Sequence, residues 1–255
     1  MSNDAERYAA AARAAGCPRD QIANFAAGGY VAQPKQLEFH AAARAADHAG
    51  GPEYIGMGGA RGGAKSHGIF AQLTLDDCVR MPGLKALFLR SVGKAARESF
   101  EDLIGKVCPH LLGCYQPGNS RLLLPNNSRI VLGGFRNEND IASYLGLEYD
   151  VIAVEEYTLL SFDKKRKLRG SLRTAKDGWR AREYSSTNPG GVGHAWYKNE
   201  FIKPWQAGTE AETRFIFATY RDNAYLKPEY VRWLNGLTGW LGRAWRDGDW
   251  EIAAG

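Results

Sequence analysis

Hydrophobic and polar positions along the chain follow two periods. Residues 5–15 and 35–48 repeat at helical spacing, and glycine or proline stops each run, at Gly16 and Pro18 and at Gly50-Gly51-Pro52. Short apolar runs then predict strands at 53–58 (EYIGMG), 85–90 (KALFLR), 150–155 (DVIAVE), 182–188 (REYSSTN) and 213–220 (TRFIFATY). The run at 150–155 is continuously apolar until it ends in acid, the pattern of a parallel strand buried on both faces. Helices are predicted after Lys65 (through Ile69, Leu73 and Val79), through 97–102, over 159–173, and in an aromatic-rich tail at 228–245. Two runs, 121–124 and 129–134, flank the turn Pro125-Asn126-Asn127-Ser128 and suggest a hairpin. Helices alternating with buried strands predict an α/β fold with a mostly parallel central sheet flanked by helices.

Composition narrows this picture. With 255 residues, 44% of them apolar, the chain can bury one large core. Its apolar runs are far shorter than the ~20 residues of a membrane helix, and the N-terminus lacks a secretory pattern, so a cytosolic protein with no membrane association is expected. The four cysteines show no C-x₂-C spacing, and Cys108, His110 and Cys114 lack an evident fourth metal ligand, so reduced thiols are expected. A net charge of +5 is compatible with a polyanionic partner without identifying one.

Chemistry enters at residues 58–66, Gly58-Gly59-Ala60-Arg61-Gly62-Gly63-Ala64-Lys65-Ser66. Against G-x-x-x-x-G-K-[ST], Gly59 is the first glycine and Lys65-Ser66 fit, while Ala64 replaces the second glycine. Successive N–H groups in such a loop form an anion nest at a helix N-terminus. Lys65 would neutralise the β- and γ-phosphates of ATP and Ser66 would give an oxygen to Mg²⁺. Because alanine disfavours positive φ, curvature is assigned to Gly62 and Gly63. The bland alternative is a glycine-rich turn before a chance Lys-Ser.

A P-loop hydrolase also needs carboxylates at the end of a neighbouring strand. Glu155 and Glu156 follow Val151-Ile152-Ala153-Val154, with Glu155 placed near the metal and Glu156 as general base for the attacking water. The alternative is a solvated loop start, but two carboxylates ending a buried strand are costly unless a cation or water site lies there.

These motifs, with Ser185-Ser186-Thr187-Asn188-Pro189-Gly190-Gly191-Val192-Gly193-His194 and the closing Asp222-Asn223, Leu226, Tyr230 and Gly248-Asp249-Trp250, resemble the large subunit of tailed-phage terminases, over about residues 34–250. The resemblance implies a P-loop ATPase motor that pumps double-stranded DNA into a procapsid, working as a homo-oligomeric ring on the portal with a small terminase subunit, in the cytoplasm of an infected cell. It further implies that Gln36 contacts the adenine edge, that Arg61 senses nucleotide, and that Thr187 and Asn188 couple phosphate state to movement. Many relatives carry an arginine shortly before the acidic strand that acts on a neighbouring subunit. That region here, Ile141 to Gly146, has none, which leaves Arg136, Arg169 or Arg173, with Arg173 favoured. A helicase-like ATPase and a nucleotide-gated clamp with negligible hydrolysis stand as alternatives.

The expected organisation is an N-terminal helical extension (1–33), a P-loop ATPase core (34–192) and a small C-terminal lid and linker (193–255). In the family a nuclease domain follows the Gly-Asp-Trp pattern, and no cutting of DNA is expected from this chain alone. The basic run Lys164-Lys165-Arg166-Lys167-Leu168-Arg169 reads equally as a DNA-tracking face or as a solvated helix. Trp233, Trp240, Trp245 and Trp250 read as core and lid packing.

Overall fold

The computed structural model describes residues 2–91, 96–135 and 138–252. Helices α1 (Ser2–Ala14), α2 (Arg19–Ala27) and α3 (Pro34–Ala45) lead to strand β1 (Tyr54–Gly59). Helix α4 (Lys65–Ala71) continues through a wider π-helical turn (Gln72–Asp77) into α5 (Cys78–Arg80), and β2 (Lys85–Ser91) and α6 (Ala96–Val107) follow. Next come β3 (Tyr115–Gln116), β4 (Arg121–Leu123), β5 (Arg129–Phe135), β6 (Val151–Glu155), α7 (Phe162–Arg169) and β7 (Arg182–Thr187). The chain closes with α8 (His194–Tyr197), α9 (Lys203–Ala207), β8 (Thr213–Ala218), α10 (Pro228–Asn235) and α11 (Gly239–Gly242), which runs on as a π-turn to Asp247.

The eight strands form one sheet in the order β3-β4-β5-β2-β6-β7-β1-β8. All neighbours are parallel except the β3–β4 and β4–β5 pairs. The apolar runs are continuous because both faces are covered. On one face Met57, Phe88 and Ala153 pack with Phe25, Phe39, Phe70 and Phe100 from the helices. On the other, Leu87, Ile152 and Val154 pack with Leu168, Tyr197, Phe201 and Trp250.

Three segments take a definite place in this frame. The N-terminal helices pack onto the body of the molecule, since Phe25 lies in the main core and Gln21 donates to Gln72 Oε1 at 3.1 Å. The segment from 193 onward divides, because β8 is the sheet's edge strand beside β1 and only the later helices lie over the loop after β1. The aromatic tail is two helical pieces, interrupted between Asn235 and Gly239.

Candidate active site

Strands β1, β6 and β7 are parallel neighbours, so their C-terminal ends emerge at one edge. Gly58 pairs with Thr187, and Glu155 with Ser186. The glycine-rich loop, the acidic pair and the Thr-Asn motif therefore meet by register, and they line one cavity of about 410 Å³. Lys65 opens α4 and is buried. Its Nζ donates to Ala60 O at 2.6 Å and to Asn188 Oδ1 at 2.9 Å. Burial, reinforced by the nearby Arg61 charge, lowers its pKa to about 8, while Glu155 and Glu156 act in the opposite sense. An anionic ligand would hold this lysine charged.

The backbone of the loop departs from the sequence expectation. Ala64 itself takes the left-handed conformation (φ 53°, ψ 27°) as the residue before α4. Gly62 has φ 80°, whereas Gly63 is not among the positive-φ residues. The turn into the helix is thus made at the position where glycine was missing.

Glu155 is buried at the end of β6, and Arg90, from the end of β2, holds its Oε2 at 2.5 Å. Burial raises its pKa, and the Arg90 guanidinium and the Ser66 hydroxyl pull it down. Its Oε1 is buried with no hydrogen-bond partner among the described residues. A free carboxylate oxygen near a serine hydroxyl is a donor set of hard oxygens that suits Mg²⁺. Glu156 follows with φ 53° and is exposed, which turns its carboxylate out of the strand line and into the cavity.

Thr187 and Asn188 face different partners. Asn188 accepts from Lys65, while the Thr187 hydroxyl lies 2.7 Å from that of Thr158, two residues beyond Glu156. Thr158 also donates to Asn188 O at 3.2 Å. The glycines that follow let the chain pass over this turn: a Cβ on Gly191 would sit 2.5 Å from Thr158 O. The two strand ends are thereby fastened to each other beside Glu156.

The C-terminal segment closes the loop from above. Asn223 donates to Gly62 O at 2.7 Å and accepts from Gln33 Nε2 at 3.0 Å. Arg61 N donates to Trp245 O at 2.8 Å, and its guanidinium lies 3.4 Å from the Trp245 ring centroid. Gly248 is pressed against the loop backbone, where a Cβ would meet Gly59 C at 2.6 Å. Gln36 lies at the wall of the cavity that adjoins this loop. Its Oε1 accepts from Gln33 N at 2.9 Å and its Nε2 donates to Ala64 O at 2.9 Å, so it clasps α3 to the loop.

The expected arginines lie elsewhere. Arg173 N bonds to Tyr149 O, ahead of β6, and its side chain is exposed beside Glu148; this is the opposite end of the sheet from the loop. Arg169 is held inside by Glu183, Glu200 and the Tyr54 ring. Arg136 lies outside the described residues. The basic helix is likewise divided: Lys165 is buried on Glu200 and Arg169 is internal, and Arg166 and Lys167 remain exposed beside Asp163. Of the tryptophans, Trp250 is core and Trp245 backs Arg61, but Trp233 and Trp240 are 45% and 66% exposed. Sequence reasoning missed Arg90, Thr158 and Gln33. Only Arg90 had a signal, as a charge ending an apolar strand next to the acidic one.

Residues 53–246 match the family model of the phage terminase large subunit. In fold the chain is similar to the large terminase of a thermophilic bacteriophage in complex with ATP-gamma-S (TM-score 0.63, 15% identity, 87% of this chain and 53% of that one). It is also similar to the large terminase ATPase domain of Thermus phage P74-26 (TM-score 0.62, 16% identity, 89% and 96%). A third similar structure is the large terminase of bacteriophage HK97 (TM-score 0.52, 14% identity, 73% and 39%). The chain spans 54% of the length of the thermophilic phage's protein. No curated protein matches. At these identities the likeness to solved structures is one of fold.

Proposed function

The chain belongs to the phage terminase large-subunit family, and from that footing we propose that it hydrolyses Mg-ATP to drive double-stranded DNA into a procapsid. The observation that carries the reading is the meeting of Lys65, Ser66, Glu155, Glu156 and Asn188 around one cavity at the C-terminal edge of three adjacent parallel strands. The loop N–H groups and Lys65 bind the β- and γ-phosphates. Glu156 takes a proton from a water whose oxygen attacks the γ-phosphorus, the bond to the β–γ bridging oxygen breaks, and ADP leaves with that electron pair. Mg²⁺, held by Ser66 and Glu155, supplies positive charge to the phosphate oxygens when bound. Arg90 holds the buried Glu155 in place and favours its charged form against the effect of burial. Arg61, parked on Trp245, is free to swing toward the γ-phosphate.

Lys65 links this chemistry to movement. Phosphates that draw Lys65 away from Asn188 release one end of the Thr158–Thr187–Asn188 linkage, so the strand ends respond to nucleotide state. The proposal extends to a homo-oligomeric ring on a portal, a small terminase subunit as partner, and an arginine supplied by a neighbour, such as Arg173 from the far end of the sheet. The test is phosphate release from Mg-ATP by wild type and Glu156→Gln at several protein concentrations. The variant should lose about 10²–10⁴-fold in turnover while binding ATP normally. Equal turnover in both would remove Glu156 as the base, and ATP binding with no turnover in wild type would favour a nucleotide-gated clamp.

A further inference from the structure

Glu156 follows β6 in a conformation that its residue type does not favour. Its φ is 53°, and an L-residue stays in the left-handed region only where its surroundings over-determine it. Thr158, two residues on, is tied to Thr187. Tyr157, between them, is fully buried, with its ring against Trp196 and Tyr197. Its hydroxyl donates to Glu183 Oε2 at 2.8 Å, and burial together with the Glu183 charge keeps that hydroxyl protonated. Glu183 stands near the start of β7, opposite Ile152, well back from the edge at which the cavity opens. The same Oε2 accepts from Arg169 Nε at 2.9 Å, and Oε1 accepts from Arg169 Nη2 at 2.7 Å. Arg169 ends α7. The segment from Tyr157 to Arg169 thus begins and ends on one carboxylate, directly after Glu156.

We propose that Glu183 is a positioning residue for hydrolysis: through Tyr157 it holds the left-handed turn that aims the Glu156 carboxylate into the cavity. The assignment rests on the ATPase reading, with Glu156 as base, and adds what keeps that base in place. An ion pair on a fully buried carboxylate contributes little net stability, because removing the charges from water offsets most of their attraction. What it supplies is geometry. The guanidinium fork fixes both carboxylate oxygens, and one of them is thereby aimed at the tyrosine. Arg169 is itself held by Glu200 and by the Tyr54 ring, 3.8 Å from its guanidinium, and Lys165 closes the chain on Glu200 at 2.6 Å. With its own partners fixed on β1, α7 and the turn after α8, Glu183 is a rigid post for Tyr157.

Removing Glu183 strips the buried Arg169 of its bidentate partner and endangers the fold, so the tyrosine hydroxyl is the usable handle. Tyr157→Phe deletes only its bond to Glu183. Tyr197→Phe is the matched control, since that ring is also fully buried and touches Tyr157, but its hydroxyl lies 3.0 Å from Ser185 Oγ. Both substitutions in the whole chain should lower the thermal midpoint by a few degrees. Only Tyr157→Phe should lower kcat for Mg-ATP, by about tenfold, with KM and calorimetric ADP affinity within about twofold of wild type. Added to Glu156→Gln, it should change the residual turnover by less than about twofold, because it acts through the group already removed. Unchanged kcat in Tyr157→Phe, an equal loss in Tyr197→Phe, or a further tenfold loss on top of Glu156→Gln overturns the assignment. Wild-type turnover in Glu156→Gln alone would overturn the base reading first, and this assignment with it.

Discussion

At Ala64 the backbone turns left-handed immediately before the lysine on which the site depends. An L-residue with a Cβ is strained there by roughly 1–2 kcal/mol, and glycine is not. Gln36 Nε2 grips the carbonyl of this same residue, which over-determines the turn and holds the strain in place. Ala64→Gly should therefore raise stability by about 0.5–1 kcal/mol in urea unfolding, after the added flexibility of the unfolded chain is set against the relieved strain. A loss of stability would mean that the alanine methyl packs better than its conformation costs. The same residue marks a limit of sequence reading. The motif located the loop, but the rule that alanine avoids positive φ sent the curvature to Gly63, because no local pattern reveals a clasp arriving from α3.

At the scale of elements, the helix that starts at Lys65 is held from behind by a buried polar cluster. Gln72 Nε2 donates to Asp76 at 2.8 Å and Asp77 at 2.9 Å, so its oxygen faces the His40 Nδ1 at 2.8 Å. Arg44 donates to Asp76 and Tyr184 to Asp77, at 2.8 Å each, and Gln21, Asn24 and Arg80 join them around the two carboxylates. These contacts accompany the π-turn at Gln72–Asp77, which a helical repeat does not predict. The strands, the loop and the acidic pair were legible because each is a continuous local pattern. The cluster was not, because its members come from α2 (Gln21 and Asn24), α3, the π-turn, α5 and β7. His40 is fully buried, and burial lowers its pKa to about 3. The unfolded chain takes up a proton at His40 near pH 6.5, whereas the folded ring stays neutral. Stability should then be complete above pH 6.5 and fall as pH drops below it, by up to about 1.4 kcal/mol per unit from this group. His67 and His194 shift in the same direction, so the informative quantity is a difference. Urea unfolding between pH 7 and 5 should show a flatter dependence for His40→Asn than for wild type, and parallel curves would exclude His40 as the source.

For the whole molecule, closure of the site joins the two ends of the chain. Gln33 and Asn223 are 190 residues apart and meet over the loop, and Gly248 rests directly on the Gly59–Ala60 backbone. The Gly-Asp-Trp pattern that carried much of the family resemblance thus has a mechanical basis: Trp250 anchors in the core against Tyr197, and Gly248 lets the preceding turn touch the loop. If that contact positions Arg61 and Trp245, a methyl group at 248 should disturb nucleotide binding as well as stability. Gly208 supplies the control, since its φ of +65° is close to the +66° of Gly248 but nothing lies within 4 Å of its Cβ position. Gly208→Ala should cost only left-handed strain, roughly 1–2 kcal/mol, with ADP affinity unchanged. Gly248→Ala should cost about 1–3 kcal/mol more through displacement of the loop, and should weaken ADP as well. Equal losses of stability in the two variants, with ADP affinity intact in both, would show that the C-terminal segment covers the loop without controlling it.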